Sequence, residues 1–272
     1  MVAKATTWDD VHRACQEAFD DGWLIDYRKE LPKHETRRFR RRKAPADVLG
    51  SCSHHSASRN QDPKRTARYH IMPGSHVSEE GCPGLLYTFV ISQTVEPGKV
   101  LLANDLESIT WSQGKSTKGK PEWSGDENRH LVSVLTMGDF NEERRKGKSG
   151  EPTQSQLERW DRVQDWLAEL FGFGPGAYFG HFDFGKAYCP GKTIRERIAA
   201  RNKDAPSIAS DLAWQQNLLK WNPECLPEYG ADGDWGGESR RALIAFEREN
   251  THRADGIQDP FTELLLLNKY PL

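Results

Sequence analysis

The chain has 272 residues, long enough for one sizeable domain and a small second one with a real buried core. Lys and Arg number 38 against 40 Asp and Glu, a net charge of −2, so the overall balance does not point to a nucleic-acid partner. No stretch approaches the ~20 apolar residues of a membrane span, the start "MVAKATTWDD" lacks a signal peptide's apolar core, and five cysteines without a CxxC pair indicate a reducing cytoplasm with no disulfide framework.

Thr7 to Gly22 reads as a helix: Thr7 with Asp10 caps its start, Trp8, Val11, Cys15, Ala18 and Phe19 form an apolar stripe, and Gly22 ends it. The run "RKELPKHETRRFRRRK" from Arg28 to Lys43 is strongly basic. It reads either as a solvated connector or as a contact for an anionic polymer such as nucleic acid, teichoic acid or lipopolysaccharide. "ADVLGSCSHHSAS" (46–58) is a short strand running into a polar loop, and His70 in "ARYHI" is a packing residue. "GLLYTFVIS" (84–92) is a second strand, and "EPGK" (96–99) turns the chain into a third, "VLLAND". "HLVSVLTMGDF" (130–140) is apolar on both faces, which places it centrally in a sheet.

A charged loop, 141–152, leads to a long helix capped by Thr153 and Gln156, with Leu157, Trp160, Leu167, Leu170 and Phe171 inward. Strands interleaved with helices predict an α/β fold, a mixed central sheet flanked by helices. A short helix over Thr193–Arg201 precedes the polar stretch "NKDAPSIAS" (202–210), the expected domain boundary. Beyond it, "LAWQQNLLKW" (212–221) and helices after the D-G turns at Asp232-Gly233 and Asp255-Gly256 predict a small three-helix domain.

The chemistry concentrates in "GHFDFGKAYCPG" (180–191), where His181 and Cys189 stand eight residues apart. That is too far for one helix face, so a loop must bring them together. Zinc takes tetrahedral nitrogen and sulfur ligands, and a catalytic site keeps three protein ligands and one open position. The third ligand is offered by "SHHSAS" (53–58), as His54 or His55. Cys15, Cys52, Cys82 and Cys225 read as small buried hydrophobes. Asp183 either steadies a ligand histidine from behind or is a solvated loop carboxylate.

In combination, the strand-end H-x-[S/T]-A segment, the Gly-Pro-turn strand carrying Tyr87, the capped helix and "GHxDFxxxxxCPG" resemble the zinc-dependent N-acetylmuramoyl-L-alanine amidases. That superfamily (amidase type 2) joins phage lysozyme-type amidases with the peptidoglycan recognition proteins. The resemblance covers roughly residues 48 to 200. It implies Zn²⁺ held by His54, His181 and Cys189, with His55 a neighbouring non-ligand, and Tyr87 as the catalytic tyrosine. "ITWSQG" (109–114) matches a Trp-His-x-Gly stretch with Ser112 in the histidine position; Trp111 and Asn128 are the implied substrate contacts. Many members carry a lysine two residues before the metal cysteine. Ala187 stands there, and Lys186, one residue earlier, either takes that catalytic role or is solvated. The glutamate base of one branch falls on Leu135, which places the chain with the tyrosine-using branch.

The C-terminal stretch resembles the small helical peptidoglycan-binding domain through its D-G-x-[W/Y]-G-x-x-[S/T] loop and the Ala242–Phe246 helix. The implied organisation is an N-terminal helix and basic connector (1–45), a zinc amidase domain (46–203) and a peptidoglycan-binding domain (207–272). The implied activity is cleavage between N-acetylmuramic acid and L-alanine of the stem peptide, as in an endolysin released onto the wall by a holin-type helper. The alternatives are a non-catalytic peptidoglycan-recognition protein and a phage structural component. Bacterial peptidoglycan is the expected partner of a monomeric chain, with no nucleic acid and no stable membrane association.

Overall fold

Alternation along the strands decides how the sheet is covered. The structure, a computed structural model, describes residues 4–75, 77–113, 126–141, 150–250 and 254–270. Gly114 and most of the charged loop expected at 141–152 lie outside the described residues. The chain forms two compact units, Met1–Asn202 and Lys203–Leu272.

In the first unit, helix α1 (Trp8–Asp20) starts at Thr7, whose side chain and that of Asp10 cap each other's backbone reciprocally. Strands β1 (Leu24–Asp26), β2 (Gly50–His55), β3 (Phe89–Ile91), β4 (Val100–Leu102), β5 (Leu131–Thr136) and β6 (Tyr178–Gly180) form one sheet in the order β1-β4-β3-β5-β2-β6. All neighbours are parallel except β3 and β4. Helices α2 (Pro63–Ile71), α3 (Asp126–His130), α4 (Gln154–Phe171) and α5 (Lys192–Arg201) complete the unit. β5 is central, flanked by β3 and β2.

The larger core lies on one face, where Phe89, Ile91, Val100, Leu102, Val132 and Val134 meet α1 and α4. Their alternate neighbours, Val90, Leu101 and Leu135, point to the opposite face and a smaller cluster with Leu31, Ala67 and Leu85. β2 obeys the same parity with polar residues. Its Ser51 hydroxyl donates to Gln164, and Ser53 accepts from Trp160 Nε1 at 3.0 Å, both on α4. Cys52 and His54 therefore face the other way, the side on which Leu135 lies; His54 and Leu135 are register partners.

Two expectations are corrected here. Strand 84–92 shortens to Phe89–Ile91, because side chains take the backbone groups a ladder would use. Asn104 Nδ2 donates to both Leu85 O and Tyr87 O at 2.7 Å, and Leu86 N–H donates to His70 Nδ1 at 3.3 Å. The basic run does not stand apart as a connector. Arg42 is buried, and its guanidinium donates to the carbonyls of Leu106, Ser108, Asn128, Arg129 and Leu131. Five carbonyl partners offset the desolvation of that charge. With α1 in the main core, residues 1–45 are part of the first unit.

The second unit contains α6 (Asp211–Trp221), α7 (Gly237–Asn250) and α8 (Pro260–Lys269) around Trp214, Leu218, Leu243, Phe246, Phe261 and Leu265. Gly233 and Gly256 adopt φ of 85° and 69°, so the D-G turns use the left-handed conformation glycine allows. Gln215 ties the first turn together: its Nε2 donates to Asp232 Oδ1, Asp234 O and Ser239 Oγ, and its Oε1 accepts from Gly233 N–H. Among the described residues, no helix is long and apolar enough to cross a membrane.

Candidate metal centre

His54 sits at the end of β2, between β5 and β6, with no exposed surface. Burial, and then the neighbouring His181 and His55, push its pKa well below the usual imidazole value, so the ring is neutral. β6 runs parallel to β2 with Ser53 opposite Gly180, which delivers His181 beside His54. The two Nδ1 atoms are 3.1 Å apart, and the rings meet edge to face at 4.6 Å between centroids.

The eight-residue gap to Cys189 is closed by a compact loop. A 3₁₀ turn over His181–Phe184 begins at Gly180, whose N–H donates to Asp183 Oδ2 at 2.9 Å. Asp183 thus shapes the backbone that carries His181. A Cβ at Gly180 would lie 2.4 Å from the Phe182 ring, so only glycine fits there. Lys186 N–H then donates to His181 O, Cys189 N–H to Lys186 O, and Phe182 N–H to Cys189 O, at 2.8–3.0 Å. The chain doubles back and the thiol returns to the histidine.

Cys189 is buried, and burial pushes its thiol up to about 12 while the His55 N–H, 3.3 Å from Sγ, works in the opposite direction. Ligand atoms of His54, His181 and Cys189 all lie within 4.8 Å of one another. The donor set fits a metal by two observations. Two imidazoles and a thiol are ligands that zinc takes. His54 Nε2 is buried without a hydrogen-bond partner while Nδ1 faces another imidazole nitrogen, so the cluster has lone-pair capacity that protein groups leave unused. His55 is placed differently: its Nδ1 accepts from Phe140 N–H at 3.0 Å.

Tyr87 lies just before β3, its ring 5.1 Å from that of His54 and 6.0 Å from that of His70. Burial raises its hydroxyl pKa, so it remains a donor at neutral pH. A cleft of about 1350 Å³ opens beside this cluster, lined by Tyr69, His70, Tyr87, Trp111, His181 and Lys186 among others. Lys186 is exposed on its rim. Trp111 forms a wall, packed edge-on to Phe39 at 6.0 Å and against the Arg37 guanidinium at 5.3 Å. Part of the basic run thus supports the cleft from behind.

Asn128 is not a cleft residue. It has no exposed surface, and both its amide atoms are bonded to the Gln113 backbone, so it braces the wall. His70 and Gln113 line the cleft without having been singled out for it. His70 is recognisable only once Leu86 N–H is seen on its ring, since a single histidine in a helix carries no spacing signal.

No protein-family model matches the sequence, and no curated protein sequence matches it significantly. Solved structures do: an endolysin N-acetylmuramoyl-L-alanine amidase from Clostridium intestinale is 16% identical, with 66% of this chain and 95% of that chain covered and a TM-score of 0.46. The endolysin of a Thermus scotoductus bacteriophage is 16% identical over 66% of this chain and 98% of its own, at 0.45. A mutant of Drosophila PGRP-LB in complex with tracheal cytotoxin is 15% identical over 66% and 94%, at 0.47.

Proposed function

We propose that the chain is a zinc-dependent N-acetylmuramoyl-L-alanine amidase that cuts the bond joining the lactyl group of muramic acid to L-alanine, in the manner of an endolysin. The observation that carries this reading is the convergence of His54, His181 and Cys189 within 4.8 Å beside a large cleft, with Tyr87 against His54. The choice of bond rests on the motif resemblance of residues 48–200. His54, His181 and Cys189 would hold the ion. Zinc bound there supplies a hydrolytic nucleophile at neutral pH and polarises the scissile carbonyl.

The protein's own groups do the rest. The His55 N–H donates to the Cys189 sulfur and favours its thiolate form. Tyr87, kept protonated by burial, orients the attacking water or donates to the carbonyl oxygen as charge builds on it. Leu135, beside His54 in register, is apolar, and no Asp or Glu lines the cleft among the described residues. Tyr87 is therefore the group next to the ligands that can serve the oxyanion, with the Lys186 cation at the rim as its partner. Trp111 offers a flat wall to sugar or peptide. The second unit is a peptidoglycan-binding module that raises the local concentration of the enzyme on its polymer.

The test is zinc analysis of the purified chain together with detection of new L-alanine amino termini after digestion of bacterial walls. One zinc per chain and those termini are expected. Cys189→Ala is expected to lose both, because a missing ligand costs metal affinity and leaves no activated nucleophile. Full zinc occupancy or undiminished lysis in that variant sinks the ligand assignment.

A further inference from the structure

The wall segment 109–113 is held at every residue. Ile109 N–H donates to Arg40 O at 2.8 Å, and Thr110 Oγ1 lies 2.9 Å from Ser133 Oγ. Trp111 is packed by Phe39 and Arg37, and the Ser112 hydroxyl donates to Gln113 Oε1 at 2.8 Å. Gln113 is clamped by Asn128 on both sides: its N–H donates to Oδ1 at 2.9 Å, and its carbonyl accepts from Nδ2 at 3.0 Å. The backbone is fixed on both sides, and the Ser112 hydroxyl holds the end of the side-chain amide.

One atom of this frame is left over. Gln113 is 1% exposed and lines the cleft, yet its Nε2 has no partner in hydrogen-bond geometry. The Gln113 side chain does interact by hydrogen bonding with the buried Cys52 thiol, but a thiol is a weak acceptor and lies outside good geometry. Among the described residues, six buried side-chain polar atoms lack a partner, and two belong to this site: His54 Nε2 and Gln113 Nε2. Native proteins rarely leave a buried donor unused without a ligand or ordered water to receive it. The donor is neutral, Arg37 is turned to Trp111, and Arg42 is spent on main-chain carbonyls. Arg59, Arg65 and Lys186 also line the cleft and supply charge elsewhere in it, whereas the Gln113 amide is a neutral donor. A neutral carbonyl suits it.

We propose that Gln113 is a specificity-determining residue whose Nε2 donates to an amide carbonyl of the bound muropeptide, an assignment that rests on the amidase reading above. The acceptor is the N-acetyl carbonyl of the sugar or a carbonyl of the stem peptide.

The experiment compares the zinc-loaded wild-type chain with Gln113→Met, which keeps length and loses the donor, on a soluble muropeptide. KM is expected to rise about tenfold with kcat and zinc content unchanged, the signature of a bond made equally in ground and transition states. Ser112→Ala leaves Gln113 in place but frees its amide, and KM is expected to rise by a smaller factor. The muropeptide without its N-acetyl group separates the two acceptors: its KM penalty vanishes in Gln113→Met if the N-acetyl carbonyl is the partner, and adds to that of the variant if a peptide carbonyl is. KM within about twofold of wild type in both variants overturns the assignment, whatever their melting temperatures. Failure of the wild-type chain to bind zinc or release L-alanine termini removes the amidase reading itself and the assignment with it.

Discussion

Gln113 and Gln215 are both 1% exposed, one in the cleft of the first unit and one at the first D-G turn of the second. Every polar atom of the Gln215 amide is engaged, with three acceptors around Nε2 and a donor on Oε1. Gln113 has an equally fixed position and half its capacity unused. A buried amide whose bonds are all internal holds a fold together. The same group with one donor spare, on a cleft wall, marks where a ligand completes the hydrogen bonding. His54 Nε2 is likewise buried at the cleft without a hydrogen-bond partner.

The contrast is sharpened most by a cleft group whose loss should touch turnover alone. Tyr87→Phe keeps the ring against His54 and removes the hydroxyl. Zinc content and melting temperature are expected to stay at wild-type values while kcat falls by roughly 10²–10³-fold, the cost of removing one oxyanion donor. Unchanged turnover in a zinc-loaded variant would reduce Tyr87 to a packing residue.

Gln215→Met addresses the closed amide. It strands the acceptors Asp232, Asp234 and Ser239 and the Gly233 N–H, so the second unit should lose about 2–4 kcal/mol. Sedimentation with purified walls should weaken, while cleavage of a soluble muropeptide and zinc content remain as in wild type. A fall in soluble turnover would break the division between a wall-binding unit and a cutting unit.

How much of this was legible in the sequence follows from how local each feature is. The capping boxes Thr7/Asp10 and Thr153/Gln156 span four residues and read directly. Spacing singled out His181 and Cys189 and left His54 or His55 open as the third member; the trio His54, His181 and Cys189 came from the motif resemblance. The manner of its closure was not legible, since it depends on main-chain bonds from Phe182, Lys186 and Cys189. Arg42 was hidden among five other Arg and Lys residues between 37 and 43, and only the five carbonyls around it distinguish it. Strand 84–92 looked continuous by composition, yet Asn104 and His70, distant in sequence, claim its backbone. Asn128 had the right position and the wrong direction, a distinction set by Gln113.

A carboxyl on α7 tests whether the second unit is closed throughout. Glu247 on α7 is fully buried, its Oε2 accepting from Gly256 N–H at 2.8 Å while Oε1 has no partner. Burial, with Asp255 and Asp259 adding repulsion, pushes its pKa from 4.5 up to about 7 against the pull of the Gly256 N–H. A carboxyl raised in this way favours folding in its neutral form. Below pH 4.5 both folded and unfolded chains hold the proton and stability is flat. Between 4.5 and about 7 the unfolded chain gives up its proton first, so the second unit loses stability as pH rises; above 7 both are ionised and the loss is constant. Amide protection factors within 203–272 should therefore fall across that window, by at most about tenfold per pH unit for one proton. Glu247→Gln cannot ionise and should flatten the profile, leaving the second unit better protected than wild type above pH 7. Protection in the first unit should not follow Glu247. An unchanged slope in Glu247→Gln would mean that other groups carry the pH dependence and that the Gly256 turn tolerates the charge.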